Sequence, residues 1–458
     1  IVFGDWSSDV CSSDLLEASL DATLNVIVKK NASPGYERRK GVILQAHIDM
    51  VPQARSGKAH DFTKDPIQTV IGKDGWVSAK DTTLGADNGI GAAAILAVLA
   101  DKTVKHGPLE CVFTTNEEDG MSGARGLSPF GIKGSYLLNL DGEDVNEITL
   151  GCAGTARMTS IYNAKGTSDG LSGLAWRTIK LTGLLGGHSG VDIHRGRGNA
   201  SILLCRLLKE AGTPYLASFE GGTAANAIPR DAEALIGVPA AEADAWQKRF
   251  DAALASLRKE YAETDPGIVV ENAKATNPGF ALEPAVAEKL LAAILALPNG
   301  LISIEPTNPA WTRTSSNLGI LKIRHEKDGM FFMETYNLIR SSDEQEKNGI
   351  TDEIDSVLFK LGATTRKQSS APAWKPEQDT TIVKTAIGVF EAMFGNKPAL
   401  SCTHGALECG LFRTLYPSWE MISIGPTIQY PHSPDERVSI ASVEQFWNYL
   451  TRLLAELP

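Results

Sequence analysis

The stretch at residues 82–100, TTLGADNGIGAAAILAVLA, constrains this chain more than any other. It opens as a polar turn that sets Asp87 among glycines and beside Asn88. From Gly91 to Ala100 it continues as small apolar residues, which predicts a helix packed close against another element. An acid at the mouth of such a helix is favoured by the positive end of the helix dipole and held by the packing behind it. Asp87 therefore reads as a carboxylate bridging two metal ions, on which the other chemically distinctive residues converge.

Three apolar runs end in the same kind of residue. Residues 42–46 stop on His47-Ile48-Asp49, residues 109–114 on Asn116-Glu117-Glu118-Asp119, and residues 136–140 on Asp141-Gly142-Glu143. Strands alternating with helices predict an α/β fold with a mostly parallel, doubly covered sheet flanked by helices. Ligands of such sheets bind beyond the carboxyl ends of the strands. Three strand ends bearing His or acid are thus one site. Polar loops that merely happen to follow strands would account for one or two of them, not for all.

Around residues 166–173 the composition turns small and polar, which predicts a domain boundary. Beyond it, a strand over 177–184 runs into Gly186-Gly187-His188-Ser189-Gly190, a helix follows over 199–211, and GGTAANAIP at 221–229 is a second glycine-rich turn. Amphipathic helices cover 240–264 and 283–297, and a strand over 329–340 ends on Arg340. From Trp374 the α/β pattern resumes, passing through Cys402-Thr403-His404-Gly405 and Tyr430-Pro431-His432 to a closing helix over 443–454. The expected organisation is a discontinuous catalytic domain, residues 16–170 and 368–458, carrying an inserted α+β lid and dimerisation domain, residues 171–367. Residues 1–15, IVFGDWSSDVCSSDL, repeat SSDV and SSDL without periodicity or an initiating Met, and read as a non-native segment.

A net charge of -11 disfavours nucleic acid and anionic membranes as partners, since both select clustered Lys and Arg. The longest apolar stretch, at 89–100, is too short to cross a bilayer. Six cysteines without a CxxC pair read as reduced residues, and the N-terminus lacks a basic region followed by an apolar core, so a cytoplasmic location is expected.

Zinc takes His nitrogen and carboxylate oxygen, and two metals about 3.5–4 Å apart can share a bridging carboxylate. The ligands for such a pair are present in His47, Asp87, Glu118, Asp141 and His432. Asp49, two residues past His47, can accept the hydrogen bond that orients a ligating imidazole. Glu117 points away from Glu118 along an extended chain. It is left to act as general base on the attacking water and then as acid to the leaving amine. His404, in a glycine-bearing turn, reads either as a substrate contact or as packing, while His60, His106, His194 and His325 read as surface or structural residues. Gly89 to Ala94 formally fits a dinucleotide-binding pattern, but Asp87 would stand where the pyrophosphate binds. GGHSG lacks the second spacer of a nucleophile elbow.

HxD at His47, GADNG at Gly85, EE at Glu117, NLDGE at Asn139, GGHSG at Gly186, GGTxxNxIP at Gly221 and PHSPDE at Pro431 resemble, in order, the co-catalytic di-zinc peptidase family of dipeptidases, aminoacylases and glutamate carboxypeptidase. Within it, LQAHIDMVPQ, HDFTKDPIQ, TTLGADNGIG, GCAG, LECGLF and SIGPTI are most similar to the bacterial aminoacyl-histidine dipeptidases. The resemblance implies one zinc on His47, Asp87 and Asp141 and another on Asp87, Glu118 and His432, with cobalt or manganese compatible with the same donors. It makes Glu117 the general base, Asp49 the residue that orients His47, and His188 a lid residue that polarises the scissile carbonyl. Asn226 and Arg340 match substrate-contacting positions, and a guanidinium suits a terminal carboxylate because it can bind it bidentately. Asp rather than Glu at position 141 goes with dipeptidase or aminopeptidase action. The expected substrates are unblocked dipeptides, Xaa-His among them, and the expected assembly is a homodimer. The alternatives are an N-acyl amino acid deacylase of the same family, or a non-catalytic metal- or peptide-binding scaffold, which a missing ligand or base would mark.

Overall fold

The computed structural model describes residues 16–127 and 131–458. The reading of residues 1–15 as a non-native segment lies outside the described residues. Two compact units emerge. One runs to Cys152 and takes up Trp374–Thr403 and Leu407–Pro458, and the other is Ala153–Ala373 with His404–Ala406.

The first unit is built on an eight-stranded sheet. Val42–His47 lies at its centre, parallel to Leu109–Thr114 on one side and to Tyr136–Asn139 on the other. Glu420–Ser423 continues the parallel run beyond Tyr136–Asn139. Every residue of the three central strands is buried, as fits mostly apolar strands covered on both faces. Antiparallel pairs occur where Glu17–Leu20 and Val26–Lys30 extend one edge and where Glu420–Ser423 meets Glu147–Cys152. The expected α/β class with a mostly parallel sheet is the one that forms.

Helix Ala86–Ala100 packs on the Val42–His47 strand. Its small residues have a local reason. A Cβ on Gly91 would come within 2.5 Å of the Leu140 carbonyl oxygen, so a larger residue would lift the helix off the strand end that leads to Asp141. The helix starts earlier than the apolar run suggests, at Ala86, with Asp87 and Asn88 departing from helical angles and a cis peptide between them. A separate four-stranded sheet joins Trp76–Ala79 to Thr69–Ile71 and to Arg437–Ser439, which in turn pairs with Ile428–Gln429. This sheet ties the loop carrying His432 to the strand that precedes the Asp87 turn.

The second unit is a nine-stranded sheet with antiparallel pairing, backed by helices that include Ala200–Glu210 and Pro284–Leu295. Its core gathers Leu203, Leu204, Phe219, Trp246, Phe250 and Leu290. The first strand, Gly154–Lys165, pairs with the last, Thr364–Ala371, so the chain leaves and returns side by side. Gly154–Lys165 is also paired with Met330–Ser341, so the small polar residues 166–173 turn the chain within this unit, with Gly170 at φ 73°. Among the described residues, Cys111, Cys152, Cys205, Cys402 and Cys409 are buried and in no disulfide, and no helix is long and apolar enough to cross a membrane.

Candidate active site

Because the central strands run parallel, the chain emerges from their carboxyl ends on one edge with His47, Glu117, Glu118 and Asp141. Asp87 comes from the mouth of helix Ala86–Ala100, and His432 from the loop between Ile428–Gln429 and Arg437–Ser439. Asp87 is the hub. Its Oδ1 lies 3.1 Å from His47 Nε2, and its Oδ2 lies 3.2 Å from His432 Nε2. Asp141 Oδ1 stands 3.3 Å from the same His47 nitrogen, and Glu118 Oε2 stands 3.1 Å from the same His432 nitrogen. One carboxylate thus faces two nitrogen-and-oxygen sets, one per oxygen. His432 reaches its place in the left-handed region at φ 59°, an uncommon conformation for a residue with a side chain.

The electrostatics follow from crowding acids into a closed space. Burial opposes a charge on the His47 imidazole, but Asp141, Asp49 and Asp87 outweigh it and hold the ring protonated well above the usual histidine range. Hydrogen bonds to Asp87 and Glu118 push His432 up to about 10. Burial would raise the Asp87 carboxyl, yet the two imidazoles hold it well below the carboxylate range. Asp141 is raised, chiefly by burial. Protons on two imidazoles thus balance an excess of negative charge that a cation would balance better. Donor atoms of His47, Asp87 and Glu118 lie within 4.8 Å of one another, and Glu118 Oε1 is buried without a hydrogen-bond partner. Imidazole nitrogen and carboxylate oxygen are suited to divalent transition metals, so the residues present fit such an ion.

Asp49 closes the back of the site. His47 Nδ1 meets the Asp49 backbone oxygen at 3.1 Å and its Oδ1 at 3.6 Å. The Asp49 carboxylate in turn accepts the backbone N–H groups of Glu117 and Glu118, each at 3.0 Å. Glu117 itself is pushed up to about 9 by burial and by the neighbouring charge of Asp141.

Three further acids belong to this neighbourhood to which sequence reading gives no role of their own. Glu408, fully buried, accepts Gln45 Nε2–H at 2.6 Å and Thr114 Oγ1–H at 2.7 Å, and burial pushes it up to about 7. Glu143 is pushed up to about 7 by burial and by Asp87. Glu436 accepts the backbone N–H groups of Leu84, Gly85, Ala86 and Asp87. The first lies in LECGLF and the last closes PHSPDE, but their partners are distant in sequence and nothing local announces them.

The second unit gathers its own polar cluster. Arg340 is buried, its Nη1–H donating to the His404 carbonyl at 3.3 Å, and among the described residues no carboxylate pairs with it. Burial and the charge of Arg157 lower it to about 10. His404 is held neutral, pushed down to about 3 by burial and by Arg340, with its Nε2 2.7 Å from Ser315 Oγ. His188 Nδ1 accepts the N–H groups of Gly190 and Val191, which leaves the proton of a neutral ring on Nε2. Gly187 permits this turn at φ 140°, since a Cβ there would meet Asp192 at 2.7 Å. Asn226 is exposed, and its backbone oxygen accepts Ser189 N–H at 2.8 Å.

The sequence profile of peptidase family M20/M25/M40 matches residues 43–456. The chain belongs to that family. Membership of the M20 peptidase family implies divalent-metal binding, and the His and carboxylate cluster offers donors that could hold such an ion. The cytosol non-specific dipeptidase of Escherichia coli (strain K12) is 40% identical over 443 residues, which cover 96% of this M20-family chain and 90% of the relative. The crystal structure of aminoacylhistidine dipeptidase from Vibrio alginolyticus superposes with a TM-score of 0.90 at 40% identity, covering 99% of this chain and 92% of the other. Aminopeptidase PepT from Bacillus cereus, at 16% identity and a TM-score of 0.61 over 98% of this chain and 91% of its own, shares the fold.

Proposed function

We propose that this M20-family chain is a metal-dependent dipeptidase that hydrolyses unblocked dipeptides, Xaa-His among them. His47, Asp87 and Asp141 would hold one zinc ion, and Asp87, Glu118 and His432 the other. The observation that carries the reading is the division of the Asp87 carboxylate, one oxygen toward His47 and the other toward His432. When bound, the zinc pair supplies Lewis-acid polarisation and a nucleophile at neutral pH.

The protein's own residues do the rest. Glu117 takes a proton from the attacking water and returns it to the leaving amine. Asp49 keeps His47 oriented and anchors the backbone of the Glu117-Glu118 pair. His188 offers Nε2–H to the developing oxyanion. Arg340, a buried cation lacking a carboxylate partner among the described residues, binds the substrate's terminal carboxylate, with His404 and Asn226 as further substrate contacts. A cytoplasmic location and a homodimer belong to the same reading, the location being supported by the name of the Escherichia coli relative.

Asp141 in place of Glu favours a dipeptidase over an N-acyl amino acid deacylase. The deciding experiment sets β-alanyl-histidine and glycyl-leucine beside N-acetyl amino acids, with and without chelator and added zinc. Chelator-sensitive cleavage of free dipeptides, restored by zinc, is expected. Cleavage of the N-acetyl compounds alone would overturn the dipeptidase reading in favour of the deacylase, and no cleavage by a folded, zinc-loaded sample would favour a binding scaffold.

A further inference from the structure

Glu436 makes four hydrogen bonds to consecutive backbone amides. Its Oε2 accepts Leu84 N–H at 2.7 Å and Gly85 N–H at 3.0 Å, and its Oε1 accepts Ala86 N–H at 2.8 Å and Asp87 N–H at 3.3 Å. The side chain is 2% exposed, so these bonds are shielded from water and from salt. Gly85 makes the geometry available, since its left-handed φ of 75° turns the amides inward to one focus. Helix Ala86–Ala100 has no side-chain cap of its own at Gly85, and a carboxylate at that end also meets the positive pole of the helix.

The source of this carboxylate matters more than the capping. Glu436 sits in the same short loop as His432, between Ile428–Gln429 and Arg437–Ser439, and its own N–H is tied to Ser433 within that loop. One side chain therefore joins the backbone of the turn carrying Asp87 to the loop carrying His432, adding to the 3.2 Å approach of the two ligands and to the packing of Ala86 on Ile428 and Val438 at the ends of that loop. A helix needing only a cap could take a Ser or Asp from its own flank.

We propose that Glu436 is a positioning residue of the metal centre: by gripping the Asp87 turn from the His432 loop, it sets the separation of those two ligands. The inference rests on the zinc reading above. If the bond network is cut, the sheet and the apolar contacts still hold the two segments near each other, but the backbone of the Asp87 turn is no longer fixed to the His432 loop and the site loses preorganisation, while the other ligands keep their strand-end positions.

The test compares wild type with Glu436→Ala and Glu436→Gln. Metal-free samples are titrated with Zn2+ against a chromophoric chelator, and thermal melts of the same metal-free samples report folding. Outer-shell partners of metal ligands typically contribute roughly 10- to 100-fold in affinity, and a loss of that size for one zinc is expected in Glu436→Ala. Glu436→Gln should fall between the two, because its amide oxygen can take only part of the network while its NH2 faces donors. At saturating Zn2+, kcat should fall with KM little changed. Wild-type zinc affinity in a folded Glu436→Gln or Glu436→Ala variant, even with a lowered melting temperature, would reduce Glu436 to a helix cap and overturn the inference. A wild-type sample that takes up no zinc would instead sink the metal reading and this inference with it, and the two failures are told apart by the wild-type titration.

Discussion

Asp49 Oδ1 accepts the backbone N–H of Glu117 at 3.0 Å, joining the residue assigned to proton transfer to the residue assigned to orient the His47 imidazole. The other carboxylate oxygen holds Glu118 N–H at the same distance. Replacing Asp49 by Asn keeps one acceptor but turns an NH2 toward a donor. Asp49→Asn is expected to lower zinc affinity and kcat/KM together, each by roughly 10- to 100-fold, measured as activity across a zinc series alongside bound-metal content. Unchanged values for both would contradict the orienting role.

Glu117→Gln and Glu117→Ala should separate chemistry from metal binding. A positioned general base contributes roughly 10²- to 10⁴-fold, so kcat is expected to drop by that factor while bound metal, measured by elemental analysis, stays at the wild-type level. Full turnover in Glu117→Ala would show that the base had been misassigned.

Arg340 is a buried guanidinium without a carboxylate partner among the described residues, and burial lowers it to about 10. Removing an uncompensated buried cation relieves a desolvation cost, so Arg340→Met should melt at or above the wild-type temperature. The same variant should lose roughly 10- to 100-fold in kcat/KM on dipeptides, since hydrogen bonds to charged groups contribute about 1.5–3 kcal/mol. Dipeptide amides, which lack the terminal carboxylate, should show little of this loss. An equal loss on both would assign Arg340 another role.

Glu408 makes the stability of the fold depend on pH. Its folded pKa of about 7 lies above the ordinary value of 4.5, so the native state holds the proton more tightly than the unfolded chain does. The resulting stabilisation is complete below about pH 4.5 and is lost as pH rises through about 7. Each tenfold gain in proton affinity on folding is worth about 1.4 kcal/mol, so the wild-type advantage over Glu408→Gln should shrink by about 3 kcal/mol across that window. Urea unfolding of the metal-free proteins at a series of pH values measures it, and a pH-independent difference between the two would argue against a protonated Glu408.

The runs before His47, Glu117 and Asp141 were legible as buried strands because a strand covered on both faces is mostly apolar, with few polar positions such as Gln45 and Asn139. Alternation with helices made those strands parallel, and parallel strands put their ends on one edge. The α/β class and the peptidase family thus follow from local pattern and motif order. Distance along the chain hides other features. Glu408 and Glu436 look like ordinary loop acids, because what distinguishes them is a partner set contributed by Gln45 and Thr114 in one case and by the amides of Leu84 to Asp87 in the other. The small polar residues 166–173 read as a domain boundary by composition, whereas the strand before them already pairs with Met330–Ser341. Likewise, His404 sits in a stretch that reads as part of the first domain, yet it groups with Arg340 and Ser315 of the second unit. By itself the sequence determined which residues end the strands and what chemistry they carry, since burial and periodicity act over a few neighbours. Only the tertiary structure decided which carboxylate oxygen faces which imidazole and which distant acid holds them there, because those distances are set by packing between segments that share no local pattern.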